Sequence, residues 1–384
     1  MQSKTDDFSD IRPYSDEDIP RVLSHILDNK DFLSAVGEII HPKIPYVLLK
    51  VKRNFIKHKI EGLLDEIKTV DDYQHLLLNG VILDAIIDKS VDKMTSSGLD
   101  KLDKQKAYLF ISNHRDIALD PTLMNYELEK NGFPFTEITF GDNLMVNNVM
   151  GDIIRMNRGV VVKRSLSLRD RFIESQRLSA YFYKRIQEGR SMWVAQKSGR
   201  AKDGIDLTNP AIIKMLHMSQ KGRGITFEQL LEKCPIVPVA ISYEYDPCDI
   251  RKSRELMYLK LNGYYKKKQL EDLVSIFRGV RRYKGNIHFH FGTPITGGFS
   301  NAQEVSDEVD RQIHLGYRLW ESNYIAYDTL YGTDTYKEHY TEPKKMKFLL
   351  RYRGLTPELK DYVLNSYANP VVMQQKAAAK SRET

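Results

Sequence analysis

Between residues 107 and 298, short apolar runs of strand type alternate with longer stretches of helical periodicity. The strand-type runs are 107–111, 137–140, 159–163, 191–195, 236–243 and 287–291. Helical patterns lie between them, most clearly at 168–187, 210–218 and 253–280. Parallel strands need crossover connections, and helices are the usual ones. The alternation therefore predicts an α/β fold with a mostly parallel central sheet flanked by helices.

The segments before and after this alternation predict helical additions. Apolar residues recur with helical spacing at 20–87, 303–321 and 357–367. The expected organisation is an N-terminal helical region (1–100), an α/β core (101–298) and a C-terminal helical region with a basic tail (299–384). The last fifteen residues are expected to be frayed, as chain ends often are.

Composition excludes several classes of protein. The mean hydropathy is −0.46, and no apolar run approaches the ~18 residues that a transmembrane helix needs. The acidic, polar N-terminus lacks the layout of a secretory signal. The only two cysteines, Cys234 and Cys248, cannot form a disulfide framework and are expected to be structural. These features favour a cytoplasmic protein.

A histidine follows the first strand-type run, in the segment Ser112-Asn113-His114-Arg115-Asp116-Ile117-Ala118-Leu119-Asp120-Pro121. Binding sites in parallel α/β sheets form at the carboxyl ends of strands, and histidine suits a general base at neutral pH. A carboxylate could hold the other ring nitrogen, and Asp116 and Asp120 are both candidates. The alternative is a surface histidine followed by a helix-capping aspartate.

Cations follow two further strand-type runs, and this pattern predicts an anion site. The candidate phosphate-binding residues are Lys163, Arg164, Ser198, Gly199, Arg200 and Lys202. Arginine can bind a phosphate through two parallel hydrogen bonds, and glycine permits a close backbone approach. The second loop lacks the spacing of a Walker A motif. Solvated strand ends are the alternative interpretation.

In this order and at this spacing, the segments resemble the blocks of the glycerolipid acyltransferase family, over roughly residues 105–298. The family includes glycerol-3-phosphate and 1-acylglycerol-3-phosphate acyltransferases. Its first block places an aspartate after four intervening residues, where this chain has Leu119, and the aspartate follows at position 120. Asp120-Pro121 resembles the Asp-Pro found at this point in the soluble plastid-type glycerol-3-phosphate acyltransferases. The resemblance assigns the charge-relay role to Asp120, with Asp116 as its rival.

The later blocks show similar matches and departures. Many members have Glu-Gly-Thr-Arg or Glu-Gly-Gly-Arg where this chain has Lys197-Ser198-Gly199-Arg200. In lacking this glutamate, the chain again resembles the plastid-type enzymes. The strand that ends in Lys163-Arg164 resembles the phosphate-recognition block, and 236–243 resembles the apolar fourth block. His288 and His290 alternate on one later strand and are expected to be structural rather than a metal pair.

The resemblance implies acyl transfer from acyl-CoA or acyl carrier protein to a hydroxyl of glycerol-3-phosphate, in phospholipid synthesis. His114 would take the hydroxyl proton, with no covalent acyl-enzyme, no metal and no cofactor other than the donor. Lysophosphatidate or a singly acylated amino-acid lipid are alternative acceptors. The displaced aspartate favours a third possibility, a non-catalytic lipid-binding relative.

The net charge of +7 is unevenly distributed along the chain. Cations exceed acids in 266–284 and 344–384, and the helical stretch 42–60 contains no acid. Such segments suit an anionic membrane surface or an acidic carrier protein. No nucleic-acid-binding module is recognisable, so nucleic acid is not an expected partner. We expect a peripheral protein on the cytoplasmic, inner face of a membrane.

Overall fold

The computed structural model describes residues 8–41, 48–164, 166–268 and 270–383. Within these ranges, seven strands form one sheet in the order β1-β7-β6-β2-β5-β3-β4. The strands are β1 (Val91–Ser97), β2 (Leu109–Ser112), β3 (Glu137–Gly141), β4 (Gly159–Val162), β5 (Met192–Ala195), β6 (Ile236–Tyr243) and β7 (Gly285–Phe291). All neighbouring pairs are parallel except β6 and β7. The predicted mostly parallel α/β fold is confirmed.

The register brings the carboxyl ends of the central strands to one level. Ser112, the last residue of β2, lies opposite Ala195 of β5 on one side and Val239 of β6 on the other. The loops that follow β2 and β5 therefore begin side by side. Because β3 and β4 run in the same direction as β5, the loops that follow them open at the same edge.

Helices cover both faces of the sheet. Alternate residues of β2 point in opposite directions, so Ile111 joins one apolar cluster and Phe110 another. The core helices are α6 (Leu119–Lys130), α7 (Asn148–Met156), α8 (Leu168–Gln187), α9 (Pro210–Lys221), α10 (Phe227–Lys233), α11 (Asp249–Asn262) and α12 (Glu271–Arg281). The single helical stretch predicted at 253–280 is wrong, because the chain turns at Gly263 and forms α11 and α12 instead.

The N-terminal part is helical up to the first strand. Its helices are α1 (Ile19–Asp28), α2 (Lys30–Ile40), α3 (Leu49–Glu61), α4 (Val70–Asp72) and α5 (Asp84–Ser90), with a π-helical stretch (Tyr73–Leu83) between the last two. The predicted basic stretch 42–60 is helical from Leu49, and its residues 42–47 lie outside the described ranges. Strand β1 was not anticipated, because it is a partly exposed edge strand without an apolar run. It lies inside the predicted N-terminal region, and the division into three regions stays a prediction.

The C-terminal part consists of α13 (Ala302–Gly316), α14 (Glu321–Tyr331), α15 (Glu342–Leu350) and α16 (Pro357–Glu383). The frayed tail predicted for the last fifteen residues is wrong, since α16 continues to residue 383. Val371 is buried, and the side-chain amide of Gln374 donates to the carbonyl oxygen of Tyr317 at 2.8 Å. These contacts hold the end of the chain against the core.

Over the described ranges, no helix combines the length and the apolar character that a bilayer span requires.

Candidate active site

The loop between β2 and α6 carries His114, and buried side chains fix its path. The amide of Asn113 donates to the carbonyl oxygen of Ile241 at 3.0 Å and accepts from the N–H of the same residue at 2.7 Å. These two bonds tie the start of the loop to β6. On the other side, the N–H of Ala201 donates to the carbonyl oxygen of His114 at 2.7 Å. The loop is therefore held between β6 and the loop that follows β5.

His114 and Asp120 form a hydrogen-bonded pair. Nδ1 of His114 lies 2.9 Å from Oδ2 of Asp120, and the side chain of Asp120 is fully buried while 12% of the histidine side chain is exposed. The same Oδ2 accepts the backbone N–H groups of Arg115 and Asp116 at 2.5 and 2.9 Å. An ionised carboxylate can only accept hydrogen bonds, so Nδ1 carries the proton and Nε2 is left as an acceptor.

Tyr243 holds the other oxygen of Asp120. The tyrosine hydroxyl donates to Oδ1 at 2.9 Å from the end of β6. Burial raises the pKa of Tyr243 well above its ordinary value, and the charge of Asp120 adds to this effect. The hydroxyl therefore keeps its proton at all physiological pH values. Asp120 is fixed by donors from both its own turn and a neighbouring strand.

Asp116 has a different role from its predicted rival. Its Oδ1 accepts the backbone N–H groups of Ala118 and Leu119 at 3.1 and 3.0 Å. Its Oδ2 is buried without a hydrogen-bond partner, and burial raises its pKa, with the charge of Asp120 adding to the shift. Asp116 thus shapes the turn before α6, and Asp120 is the acid that contacts His114.

Trp193 of β5 packs against the imidazole. The two rings meet edge to face with their centroids 5.6 Å apart. The indole Nε1 donates to Oγ of Ser112 at 2.9 Å, which fixes the plane of the tryptophan ring. An aromatic wall on one side and a carboxylate behind leave the histidine little freedom to rotate.

His114 faces an open cleft with a volume of about 490 Å³. Predicted site residues that line this cleft besides His114 are Lys163, Arg164, Ser198, Gly199 and Arg200. Gly199 has a φ of +80°, in the left-handed region that favours glycine. The carboxyl ends of β2, β4 and β5 thus bring together three segments that are far apart in the sequence, as the predicted edge site requires.

The cations differ in whether a carboxylate neutralises them. Lys163 lines the cleft but pairs with Asp10 at 2.5 Å and with Glu174 at 3.4 Å. The hydrogen bond to Asp10 raises its pKa most. Lys202 lies outside the cleft lining and pairs with Glu255 at 2.7 Å. Its predicted phosphate role is not matched by its position.

Four cations line the cleft with no carboxylate partner among the described residues. They are Arg164, Arg171, Lys197 and Arg200. Nη2 of Arg200 donates weakly to the hydroxyl of Ser275 at 3.3 Å, and its Nη1 is buried with no partner. A buried guanidinium nitrogen without an acceptor is costly, so an anionic ligand would fit there.

Arg171 and Lys197 line the cleft but are not among the site residues predicted from the sequence. Lys197 stands in the same loop as Ser198, and its position two residues after the end of β5 was the signal that could have found it. Arg171 lies in the first turn of α8, where its sequence context resembles that of any exposed helical arginine. Only the tertiary structure shows that this turn borders the cleft.

The cysteines and the histidine pair lie outside the cleft lining. Burial raises the pKa of Cys234 to about 12 and that of Cys248 to about 11, so neither is a thiolate at neutral pH. Nδ1 of His288 lies 2.8 Å from the hydroxyl of Thr95, and Nδ1 of His290 lies 2.9 Å from that of Ser97. In the described part of the chain, no three His, Cys, Asp or Glu side chains cluster so as to hold a metal ion.

The part of the chain that carries this site is similar to known proteins. Residues 93–242 match the model of the family described as Acyltransferase. No curated protein matches the chain. A similar solved structure is that of the 1-acyl-sn-glycerophosphate (LPA) acyltransferase PlsC from Thermotoga maritima, at a TM-score of 0.39 and 14% identity. The alignment covers 78% of this chain and 94% of that one. The matched residues 93–242 contain His114, Asp120 and all four cations that line the cleft without a carboxylate partner among the described residues.

Proposed function

We propose that this chain, whose residues 93–242 match the acyltransferase family model, transfers a fatty acyl group to a hydroxyl of glycerol-3-phosphate. The donor is a thioester, either acyl-CoA or acyl carrier protein. The observation that carries the proposal is the His114–Asp120 pair. His114 faces a cleft that is lined by four cations without a carboxylate partner among the described residues. A general base beside a phosphate-sized anion site suits a phosphorylated alcohol.

In the proposed reaction, Nε2 of His114 accepts the proton of the acceptor hydroxyl. The oxygen attacks the thioester carbonyl, an ester C–O bond forms and the C–S bond breaks. The leaving thiolate takes the proton back from His114, while Asp120 stabilises the transient imidazolium. The raised pKa values of both cysteines argue against a covalent acyl-cysteine intermediate.

The cleft has an apolar side that suits the acyl chain. Leu178 and Phe182 of α8 face Ile212 and Met215 of α9 across the lining. The cations and the apolar side chains thus border one cleft, so a phosphate and an alkyl chain can be held beside His114 together.

Two alternative acceptors and one non-catalytic alternative compete with this proposal. Lysophosphatidate also carries a phosphate and would use the same cations, whereas a singly acylated amino-acid lipid carries none. A non-catalytic lipid-binding relative was favoured by the position of Asp120 in the sequence. Since Asp120 reaches His114 despite the longer spacing, that argument loses its support.

The proposal includes attachment to a membrane surface from the cytoplasmic side. Its support is the excess of cations in 266–284 and 344–384. A polybasic surface gains about 1 kcal/mol for each cation near an anionic bilayer. No cofactor other than the acyl donor is part of the proposal.

A mass-spectrometric product assay tests the chemistry. Purified full-length protein is incubated with a panel of hydroxyl acceptors and with both donor types. We expect an acylated glycerol phosphate, and we expect His114→Ala to lower turnover by about 10²–10⁴-fold. His339→Ala, which changes an exposed histidine outside the cleft lining, is the matched control. Unchanged turnover in His114→Ala would show that the catalytic assignment is wrong.

Acceptor kinetics test the phosphate. Arg164→Ala and Arg200→Ala should each raise the KM of a phosphate-bearing acceptor by about tenfold or more, because each removes a charge-assisted hydrogen bond. Lys202→Ala should change it little, since Lys202 pairs with Glu255 outside the cleft lining. If both arginine variants keep the normal KM, the acceptor has no phosphate and the amino-acid lipid becomes the better candidate.

A further inference from the structure

An exposed apolar arm borders the cleft. The arm comprises the described residues 258–268 and 270–277, which include the end of α11 and the first turns of α12. Its exposed large apolar side chains are Tyr258, Leu259, Leu261, Tyr264, Leu270, Val274 and Phe277. Tyr264 is 70% exposed and Leu261 is 62% exposed. Single exposed apolar residues are common, but seven along one short stretch of chain indicate an interaction surface.

The first part of the arm, up to residue 268, is also basic; Glu271 and Asp272 follow it, and Lys267 pairs with Asp272 at 2.5 Å. No acid occurs between Glu255 and Glu271, whereas four exposed lysines do. They are Lys260, Lys266, Lys267 and Lys268. Tyrosine, leucine and lysine side chains mixed on one exposed surface are typical of segments at the boundary between lipid headgroups and acyl chains. Lysine stems can lie along the apolar layer while their ammonium groups contact lipid phosphates.

The position of the arm connects this surface to the cleft. Lys267 and Asp272 belong to the cleft lining, and Nδ2 of Asn143, in the segment after β3, donates to Asp272 at 3.3 Å. The first turns of α8 border the same cleft through Arg171 and also expose apolar side chains. Those side chains are Leu168, Phe172 and Ile173. The arm and the first turns of α8 therefore both lie at the mouth of the cleft.

We propose that the arm and the first turns of α8 dock onto an anionic lipid bilayer and place the cleft mouth at its surface. A lipid could then pass between the bilayer and His114 without crossing water. The bilayer is favoured over an acidic carrier protein because the exposed groups are mainly large, apolar and aromatic. A second exposed apolar group on α3, at Val51 and Phe55, does not contribute to the cleft lining. The inference deepens the proposed function, on which it rests for the lipid nature of the product.

Co-sedimentation with vesicles tests the docking. The full-length protein is mixed with phosphatidylcholine vesicles that contain about one-third phosphatidylglycerol, and with pure phosphatidylcholine vesicles. We expect binding mainly to the anionic vesicles. The double variant Leu261→Asn, Tyr264→Ser should lower the vesicle partition coefficient by about tenfold or more. The matched control Tyr331→Ser, Leu315→Asn changes the same residue types at 50% and 37% exposure, outside the cleft lining and outside both basic segments, and should bind normally.

A soluble assay separates docking from catalysis. With glycerol-3-phosphate and a short-chain acyl-CoA, the arm variant should turn over at the wild-type rate. Wild-type protein that ignores anionic vesicles, or an arm variant that still binds them, overturns the docking proposal. The docking proposal is also overturned if the arm variant still binds the vesicles but no longer binds acyl carrier protein, because the arm would then be a surface for the carrier protein. Normal docking by a protein that forms no product with any acceptor would instead contradict the proposed function alone.

Discussion

At the scale of single residues, the spacing between His114 and Asp120 does not determine which acid holds the imidazole; the turn between them does. Asp116 accepts two backbone N–H groups of this turn, and Asp120 enters the first turn of α6 directly behind the histidine. The additional residue is accommodated because the backbone N–H groups of Arg115 and Asp116 also point at Asp120. Two acids close together in sequence therefore have different tasks.

Asparagine substitutions should separate these tasks. Asp120→Asn removes the charge that stabilises the imidazolium, so kcat should fall by about 10²–10⁴-fold. Asp116→Asn keeps an oxygen for the N–H groups of Ala118 and Leu119 and should retain most of the activity. Steady-state kinetics of both variants, with circular dichroism as a folding control, measure the difference. The reverse order of effects would assign Asp116 as the partner.

Tyr243 is a positioning residue that acts through Asp120. Tyr243→Phe removes one hydrogen bond to the carboxylate without changing the ring that packs in the core. We expect kcat to fall by about three- to tenfold, the usual value of one such bond, while the acceptor KM stays unchanged. Tyr181→Phe is the matched control, because its buried hydroxyl donates to Glu137 at 2.7 Å outside the cleft lining. Equal effects in both variants would indicate general destabilisation only.

At the scale of elements, α13 supports the loop that carries the cations. Asp310 of α13 accepts the backbone N–H of Thr208 at 2.7 Å, and Nε2 of His314 lies 2.8 Å from the carbonyl oxygen of Asp206. Both contacts hold the segment between β5 and α9, which includes Arg200. The helix thus fixes the loop at its far end, while β5 fixes its start.

The contribution of Asp310 to the free energy of unfolding should depend on pH. Burial raises the pKa of Asp310 from 3.8 to about 6, and the charges of Asp307 and Asp206 add to the shift. Because the folded protein holds this proton more tightly than the unfolded chain, the ionised group opposes folding above about pH 6 and has no such effect below about pH 4.

Asp310→Asn should therefore raise the free energy of unfolding by about 1–2 kcal/mol at pH 7.5, and the gain should shrink as the pH falls to 5. The asparagine oxygen can still accept from Thr208. Urea denaturation at the two pH values measures the effect, with Asp65→Asn, which changes an exposed aspartate far from α13 in the sequence, as control. A gain that is the same at both pH values would contradict this explanation.

At the scale of the whole molecule, α16 connects the C-terminal helices to the cleft. The side-chain amide of Asn369 donates to the carbonyl oxygen of Asp203 at 2.7 Å. Gly204 lies so close to the helix that a Cβ atom there would stand 2.4 Å from the carbonyl oxygen of Ser366. The last helix thus contacts the same loop as α13, although it is far away in the sequence.

Gly204→Ala should disturb this contact. Gly204 and Gly189 have nearly the same φ, +80° and +79°, but the space around Gly189 is open. Gly189→Ala should therefore cost about 1–2 kcal/mol from backbone strain alone. Gly204→Ala should cost about 1–3 kcal/mol more, because α16 must move, and it alone should raise the acceptor KM. Thermal unfolding and kinetics of the two variants test whether α16 supports the cation loop.

Much of the α/β core could be predicted from the sequence because its signals are local. Strand β6 and helix α8 have the predicted bounds, 236–243 and 168–187, since a continuous apolar run and a regular helical period each fix an element. Strand β1 could not be predicted, because an edge strand buries little and needs no apolar run. The end of α16 was missed for the opposite reason, since its stability comes from distant partners such as Tyr317.

The sequence by itself determined the alternation of strands and helices, and hence a parallel sheet with loops at one edge that carry a histidine and several cations. Each of these features depends on neighbours within a few residues. Only the tertiary structure decided that Asp120 contacts His114, that Lys202 lies outside the cleft lining, and that Arg171 borders it. Charge pairing and burial depend on atoms brought together from remote parts of the chain, and such distances are not contained in local periodicity.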